Sequence, residues 1–212
     1  CKGLAMKRIS IFVIVLLYSV TGALCAQNNS VLNILYQNIG KSSVQMDFSY
    51  ALNVSGVNSA GNGTVTFQDG AYVMKGNGLQ IICDRKTAWV VDQAGKEVII
   101  ETPAQGEQSY LDNPALLLVN LTDAFNVSGV TVSGSLYTYN LSPKVNCGVK
   151  SAVITIKSQD VPVIASSVFV LSDDERLDIK IKSMTFSEKK PLTSFFYDVS
   201  GLDSSWLITD LR

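Results

Sequence analysis

A mainly β protein, built as one strongly curved antiparallel sheet of about ten or eleven strands under a thin cover of short helices, is what this sequence predicts. Three observations lead there. Residues 43–52 alternate almost without a fault, with Val44, Met46, Phe48, Tyr50 and Leu52 on one face and Ser43, Gln45, Asp47, Ser49 and Ala51 on the other. Residues 79–101, LQIICDRKTAWVVDQAGKEVIIE, read as a three-stranded meander, β-branched and aromatic runs being separated by Asp84-Arg85-Lys86 and Asp92-Gln93-Ala94-Gly95. Finally, the sequence offers two or three short helical patterns to set against this many one-faced strands.

Taken in order, the chain begins with a basic pair, Lys7-Arg8, an apolar run over residues 9–20 and small residues at 21–27. This is the pattern of a secretory signal peptide, the run falling short of the roughly 20 residues that a membrane-spanning helix needs. Residues 1–26 are therefore expected to be an N-terminal extension and signal peptide, and 27–212 a single domain. Cleavage after Cys25 or after Ala26 fits, whereas acylation of Cys25 as a new first residue is disfavoured by bulky Leu24 before it. Asn28-Asn29-Ser30 then supplies helix-capping side chains, and Val31, Leu32, Leu35 and Ile39 fall near one helical face before Gly40. Such a helix either plugs the end of a core or acts as a lid.

Strands are expected at residues 43–52, 63–68, 71–75, 79–83, 87–91 and 98–100, with a polar, glycine-bearing hairpin loop over 54–62. Tight turns are read at Asp69-Gly70 and Asn77-Gly78. The β pattern breaks at residues 112–125, where Asp112-Asn113-Pro114 precedes a dense apolar run that includes Leu116, Leu117 and Leu118, so one helix or two short ones are predicted. Strand character resumes at 130–132, 135–141, 151–157, 161–171 and 176–186, and residues 206–211 form a short strand or extended tail. Along residues 176–182, Leu177, Ile179 and Ile181 face one way and Arg176, Asp178, Lys180 and Lys182 the other.

Composition narrows the function classes. Only 17% of residues are charged, with Lys and Arg scattered, so no stripe that could track a phosphate backbone is present and no nucleic-acid partner is expected. The chain contains no histidine, which removes the usual general base, the usual triad member and the commonest metal ligand together. No nucleophile has a recognisable base beside it, so the expectation is a protein that is not an enzyme and uses no cofactor and no metal. Without residues 1–26 the chain carries 14 basic and 18 acidic residues, a net charge of −4. It also keeps Cys83 and Cys147, which either form a disulfide closing a long loop, worth about 4 kcal/mol in the chain-entropy view, or stay as separate buried thiols.

Other motifs carry less. Asn-x-Ser/Thr triplets at Asn28, Asn53, Asn62, Asn120, Asn126 and Asn140 would be glycosylation acceptors in a eukaryotic secretory protein, but chance and turn preference readily produce them in a chain rich in Asn, Ser, Gly and Thr. Gly61-Asn62-Gly63 and Gly76-Asn77-Gly78 are followed by no helix, so they read as hairpin turns needing positive φ rather than phosphate loops. Asp173-Asp174-Glu175 reads as a solvated turn.

One-faced apolar strands with little helix to cover them suggest a hydrophobic ligand holder, in which burial of an acyl chain at roughly 0.8 kcal/mol per methylene drives binding. The expected cavity wall is Met46, Phe48, Tyr50, Val65, Phe67, Leu79, Ile81, Trp89, Val98 and Ile100, and the expected lid is Leu32, Leu35, Leu116, Leu117 and Leu118.

The stretch Cys83-Asp84-Arg85-Lys86-Thr87-Ala88-Trp89, with Lys96-Glu97-Val98 after it, resembles the outer-membrane lipoprotein carrier family LolA. So do the signal peptide, the amphipathic first helix, the Pro114-Ala115-Leu116-Leu117-Leu118 segment and the ending Trp206-Leu207-Ile208-Thr209-Asp210-Leu211-Arg212. The family's Asp-Gly-Lys-Thr-x-Trp turn is represented by residues 84–89, with Arg85 in the glycine position. The resemblance spans nearly all of residues 28–212 and implies an unclosed antiparallel β-barrel with helices as a lid over a hydrophobic cavity. It also implies a periplasmic, monomeric shuttle that takes acylated lipoproteins from an inner-membrane ABC-type release complex to an outer-membrane acceptor. The family's Arg-Pro element is missing, Gln68-Asp69-Gly70-Ala71 standing in its region, so a lid latch built on that arginine does not carry over. Two rivals are a sensory or adaptor domain of envelope stress signalling on the same sheet, and a structural surface protein with a filled core.

Overall fold

The computed structural model describes residues 30–54, 56–103, 125–144, 148–171 and 175–212. Among the described residues there is a single sheet of twelve strands and one α-helix. Helix α1 covers residues 30–41. The strands are β1 (Ser43–Val54), β2 (Val57–Gln68), β3 (Ala71–Gly76), β4 (Leu79–Cys83), β5 (Ala88–Asp92) and β6 (Glu97–Glu101). They continue with β7 (Phe125–Ser133), β8 (Leu136–Pro143), β9 (Val149–Lys157), β10 (Val163–Leu171), β11 (Arg176–Ser187) and β12 (Leu207–Asp210). Their order is β12-β6-β5-β4-β3-β2-β1-β11-β10-β9-β8-β7, an open array in which β1 pairs with both β2 and β11 near the middle.

Three expectations about the sheet are corrected. The described residues form twelve strands, and the sheet is mixed, because β12 runs parallel to β6 in the register Leu207–Glu97 to Asp210–Ile100. Residues 54–62 are not a loop: pairing of β1 with β2 continues from Val44–Phe67 out to Val54–Val57, and the reversal is confined to the turn at Gly56, whose φ is +79°. The glycines that read as breakers there, Gly61 and Gly63, lie inside β2 without positive φ, unlike Asn77 (φ +50°) and Gly78 (φ +82°), which make the expected tight turn. Phe125, read as the end of a helix, instead opens β7; the rest of the 112–125 prediction, including Leu116, Leu117 and Leu118, lies outside the described residues, as do the signal-peptide segment and Cys147.

Register gives the sheet two faces. On the first, Val44, Met46, Phe48 and Tyr50 of β1 stand beside Phe67, Val65, Gly63 and Gly61 of β2, and then beside Tyr72 and Met74 of β3, and Cys83 and Ile81 of β4. The apolar side of α1 packs on this face through Val31, Leu32, Leu35 and Ile39, all buried in the main core. An isolated twelve-residue helix is marginal in water, so this packing is what holds α1 in place. Tyr139 of β8 reaches the backbone of Leu32 in the first helical turn, and burial pushes its phenol up to about 12.

On the second face the chain after β11 packs over the part formed by β3 to β6. Gln68 clamps this segment by donating from Nε2 to the Lys190 carbonyl (2.7 Å) and accepting from the Lys190 N–H at Oε1 (2.8 Å), while Lys189 pairs with Asp69 at 2.6 Å. A short 3-10 turn over Leu192–Phe195 buries Phe195, and Phe196 meets Trp89 edge to face with ring centroids 5.1 Å apart. Tyr197, Val199, Leu202 and Trp206 then pack over Ile82, Trp89, Val91, Val98 and Ile100. Having crossed to the outer edge, the chain has the direction of β6 and adds β12 in parallel.

The β4–β5 turn is an Asx turn in which Asp84 Oδ1 accepts from the N–H groups of Lys86 (2.8 Å) and Thr87 (2.7 Å). Its geometry requires φ of +86° at Arg85, a conformation that a side chain disfavours by roughly 1–2 kcal/mol. Glycine removes that strain but adds entropy to the unfolded chain. Arg85→Gly is therefore expected to stabilise the fold by about 0.5–1 kcal/mol, seen as a melting temperature higher by ~1–4 °C. An unchanged or lower melting temperature would show that the arginine side chain makes up for its own backbone strain.

Candidate functional site

The first face carries an apolar cavity of about 210 Å³. It crosses five adjacent strands, from β4 through β3, β2 and β1 to β11. Phe48, Tyr50 and Leu52 of β1 lie between Leu177 and Ile179 of β11 on one side and Met74, Leu79 and Ile81 of β3 and β4 on the other. From β2 the lining takes Gly63, which pairs with Phe48, and Asn62; Gly61, which pairs with Tyr50, lies beneath that ring. The polar residues of the lining are Asn62, Lys75 and Asn77.

Register explains why these side chains converge. Phe48 pairs with Ile181, Tyr50 with Ile179 and Leu52 with Leu177, after a bulge between Asp47 and Phe48 that shifts the β1–β11 pairing. Across the other edge Met74 pairs with Ile81, and Gly76 with Leu79. Leu177 and Ile179 are buried, the other apolar wall residues are half-buried, and Leu79 is 41% exposed at the rim. Asn77 Nδ2 donates to the Tyr50 hydroxyl, a bridge from the β3–β4 turn to β1 that passes over Gly61.

The residues expected to form a cavity wall are divided three ways. Phe48, Tyr50, Leu79 and Ile81 line the cavity. Met46, Val65 and Phe67 lie on the same face but farther along the strands, buried in the main core with Leu32 and Leu35 of α1. Trp89, Val98 and Ile100 sit in the cluster on the opposite face, under the C-terminal segment. The pairing Ile82–Trp89–Ile100 fixes this, since it places those three in one row while Cys83 and Ala88, one residue on, face the other way.

Leu52, Met74, Leu177 and Ile179 complete the lining without having been singled out as wall. Their signal was present for Leu177 and Ile179, whose alternation is clear, but what brings β11 beside β1 is a pairing of residues about 130 positions apart. Cys83 lies buried on the cavity's face and is bonded to no other cysteine among the described residues, which do not include Cys147; burial pushes its thiol up.

Fold and cavity together define a β protein whose described strands form one sheet, with an apolar cavity on one of its faces. The chain belongs to the outer membrane lipoprotein carrier protein LolA family, whose model matches residues 72–197, from β3 to the segment behind the sheet. Among solved structures it is similar to a DUF1329 family protein from Desulfovibrio piger (10% identity, TM-score 0.48, 84% of this chain and 98% of that one). It is also similar to a LolA superfamily protein from Nitrosomonas europaea (10% identity, TM-score 0.44, 80% and 97%) and to MucB (13% identity, TM-score 0.42, 82% and 64%). No curated protein sequence matches the chain. Among the described residues no helix is long and apolar enough to cross a membrane.

Proposed function

We propose that this protein is a periplasmic carrier that takes acyl chains of lipoproteins into the cavity on the first face and moves them, as a monomer, from an inner-membrane ABC-type release complex to an outer-membrane acceptor. The observation that carries this reading is the apolar cavity itself, spread across five strands, in a chain of the lipoprotein carrier family. α1, with Leu32 and Leu35, packs beside the cavity on the same face and would move over it as a lid, and a sheet curving around the chain would deepen the cavity on loading. No step in this reading is catalytic.

Magnitudes fit a carrier that must also release. At roughly 30 Å³ per methylene-sized group, 210 Å³ holds about seven such groups. At about 0.8 kcal/mol each they supply ~6 kcal/mol, so one chain is held no more tightly than on the order of 0.1 mM. Several chains of one lipoprotein, or further cover on loading, would raise this, and an acceptor that buries them better would draw the cargo away.

The test is to dilute a purified acylated lipoprotein out of detergent into the mature chain and separate the mixture by size. A soluble one-to-one complex is expected for the acylated form, and none for the same lipoprotein lacking its acyl groups. Aggregation of the acylated form with no co-elution, or equal capture of the deacylated form, would sink the proposal.

A further inference from the structure

We propose that Gly61 and Gly63 of β2 set the bore of the cavity, and so decide that it admits an unbranched hydrocarbon chain; this rests on the acyl-carrier reading above. Phe48 and Tyr50 project from β1 onto the cavity's face, and their ring ends reach sideways across β2 into the space that side chains at 63 and 61 would occupy. A Cβ at position 63 would stand 2.7 Å from Phe48 Cζ, and one at 61 would stand 2.9 Å from the Tyr50 hydroxyl and 2.5 Å from Asn77 Oδ1. Neither glycine has positive φ, so the backbone does not require them. What requires them is the room above β2.

The consequence for the cavity follows from sterics. With both glycines in place the two rings lean over the strand and form a floor. With a side chain at either position the ring above it has to turn away from the sheet, and on this face that direction is into the cavity. Tyr50 is tied down by Asn77, whereas Phe48 has no such bond and is placed by packing alone, against the Tyr50 ring and the main core. Glycine also weakens a strand, through entropy and lost packing, so two of them opposite two aromatic rings in β2 incur a cost that the cavity explains.

The experiment measures binding of dansyl-undecanoic acid to the mature wild-type chain and to Gly63→Ala, Gly61→Ala and Gly63→Ala/Phe48→Leu. The wild type is expected to bind saturably, and each alanine variant about tenfold more weakly, the loss of room for roughly two methylenes. Because the Cβ at 63 also comes within 3.0 Å of the Lys75 carbonyl, folding is followed by thermal melting alongside. Gly61→Ala meets only side-chain ends and is the variant that keeps the test clear of backbone effects. Affinity restored to near wild type in the double variant, where the shorter side chain no longer meets the new methyl, supports the proposal. Wild-type binding with undiminished binding by both alanine variants overturns this inference and leaves the carrier reading standing. Absence of wild-type binding overturns both.

Discussion

Replacing Trp89 by alanine is expected to destabilise the protein by about 3–5 kcal/mol while leaving its affinity for an acyl probe unchanged. Trp89 is 4% exposed and forms the centre of the second-face cluster, with Phe196 against its ring and Tyr197, Val199, Leu202 and Trp206 in the same group. Truncation removes the largest apolar surface that holds the C-terminal segment. At this chain length the melting temperature should fall by roughly 10 °C, and residues 196–206 should become the first site of limited proteolysis. Binding should not follow, because the cavity lies on the opposite face. Loss of probe binding in a variant that remains folded would place Trp89 in the site, contrary to the register of β4, β5 and β6.

Leu35→Ala is expected to cost about 2–5 kcal/mol, measured by denaturant unfolding. Leu35 is 1% exposed and central to the stripe by which α1 packs on the first face. A helix this short owes its stability to that stripe, so the substitution should loosen the helix as a unit and lower the amide-exchange protection of residues 30–41 more than that of the strands. Ile34→Ala on the outer side, where the side chain is 44% exposed, should change stability by no more than about 0.5 kcal/mol. Equal costs at the two positions would mean that α1 does not rely on this packing. If α1 also acts as the moving cover of the proposed carrier, Leu35→Ala should speed probe uptake and release together.

Much of this was legible one strand at a time. Alternation in residues 43–52 correctly groups Met46, Phe48 and Tyr50, and that in residues 176–182 groups Leu177 and Ile179. The Asp84 turn is legible from its residue types, and Arg85, marked by the family likeness as a substitute for glycine, does adopt the backbone that glycine favours. The likeness also led to the family, through Lys86-Thr87-Ala88-Trp89 and Lys96-Glu97-Val98. Residues 57–62 have the composition of a loop, polar and glycine-bearing, and only the partner strand reveals that they are paired throughout.

Local spacing by itself determined the β class, most of the turns and which side chains share a face within one strand, because the two-residue period of a strand is a property of its own backbone. It could not determine which face of one strand joins which face of the next. In β5 and β6 both faces are apolar, Val91 and Val98 on one and Val90 and Ile99 on the other, so pattern gives no preference and a one-residue change of register exchanges them. Tertiary pairing decided that Trp89, Val98 and Ile100 support the C-terminal segment, that β11 lies beside β1 to complete the cavity, and that β12 runs parallel to β6. Those are contacts between residues far apart in the chain, fixed by the packing of the whole sheet rather than by any stretch of it.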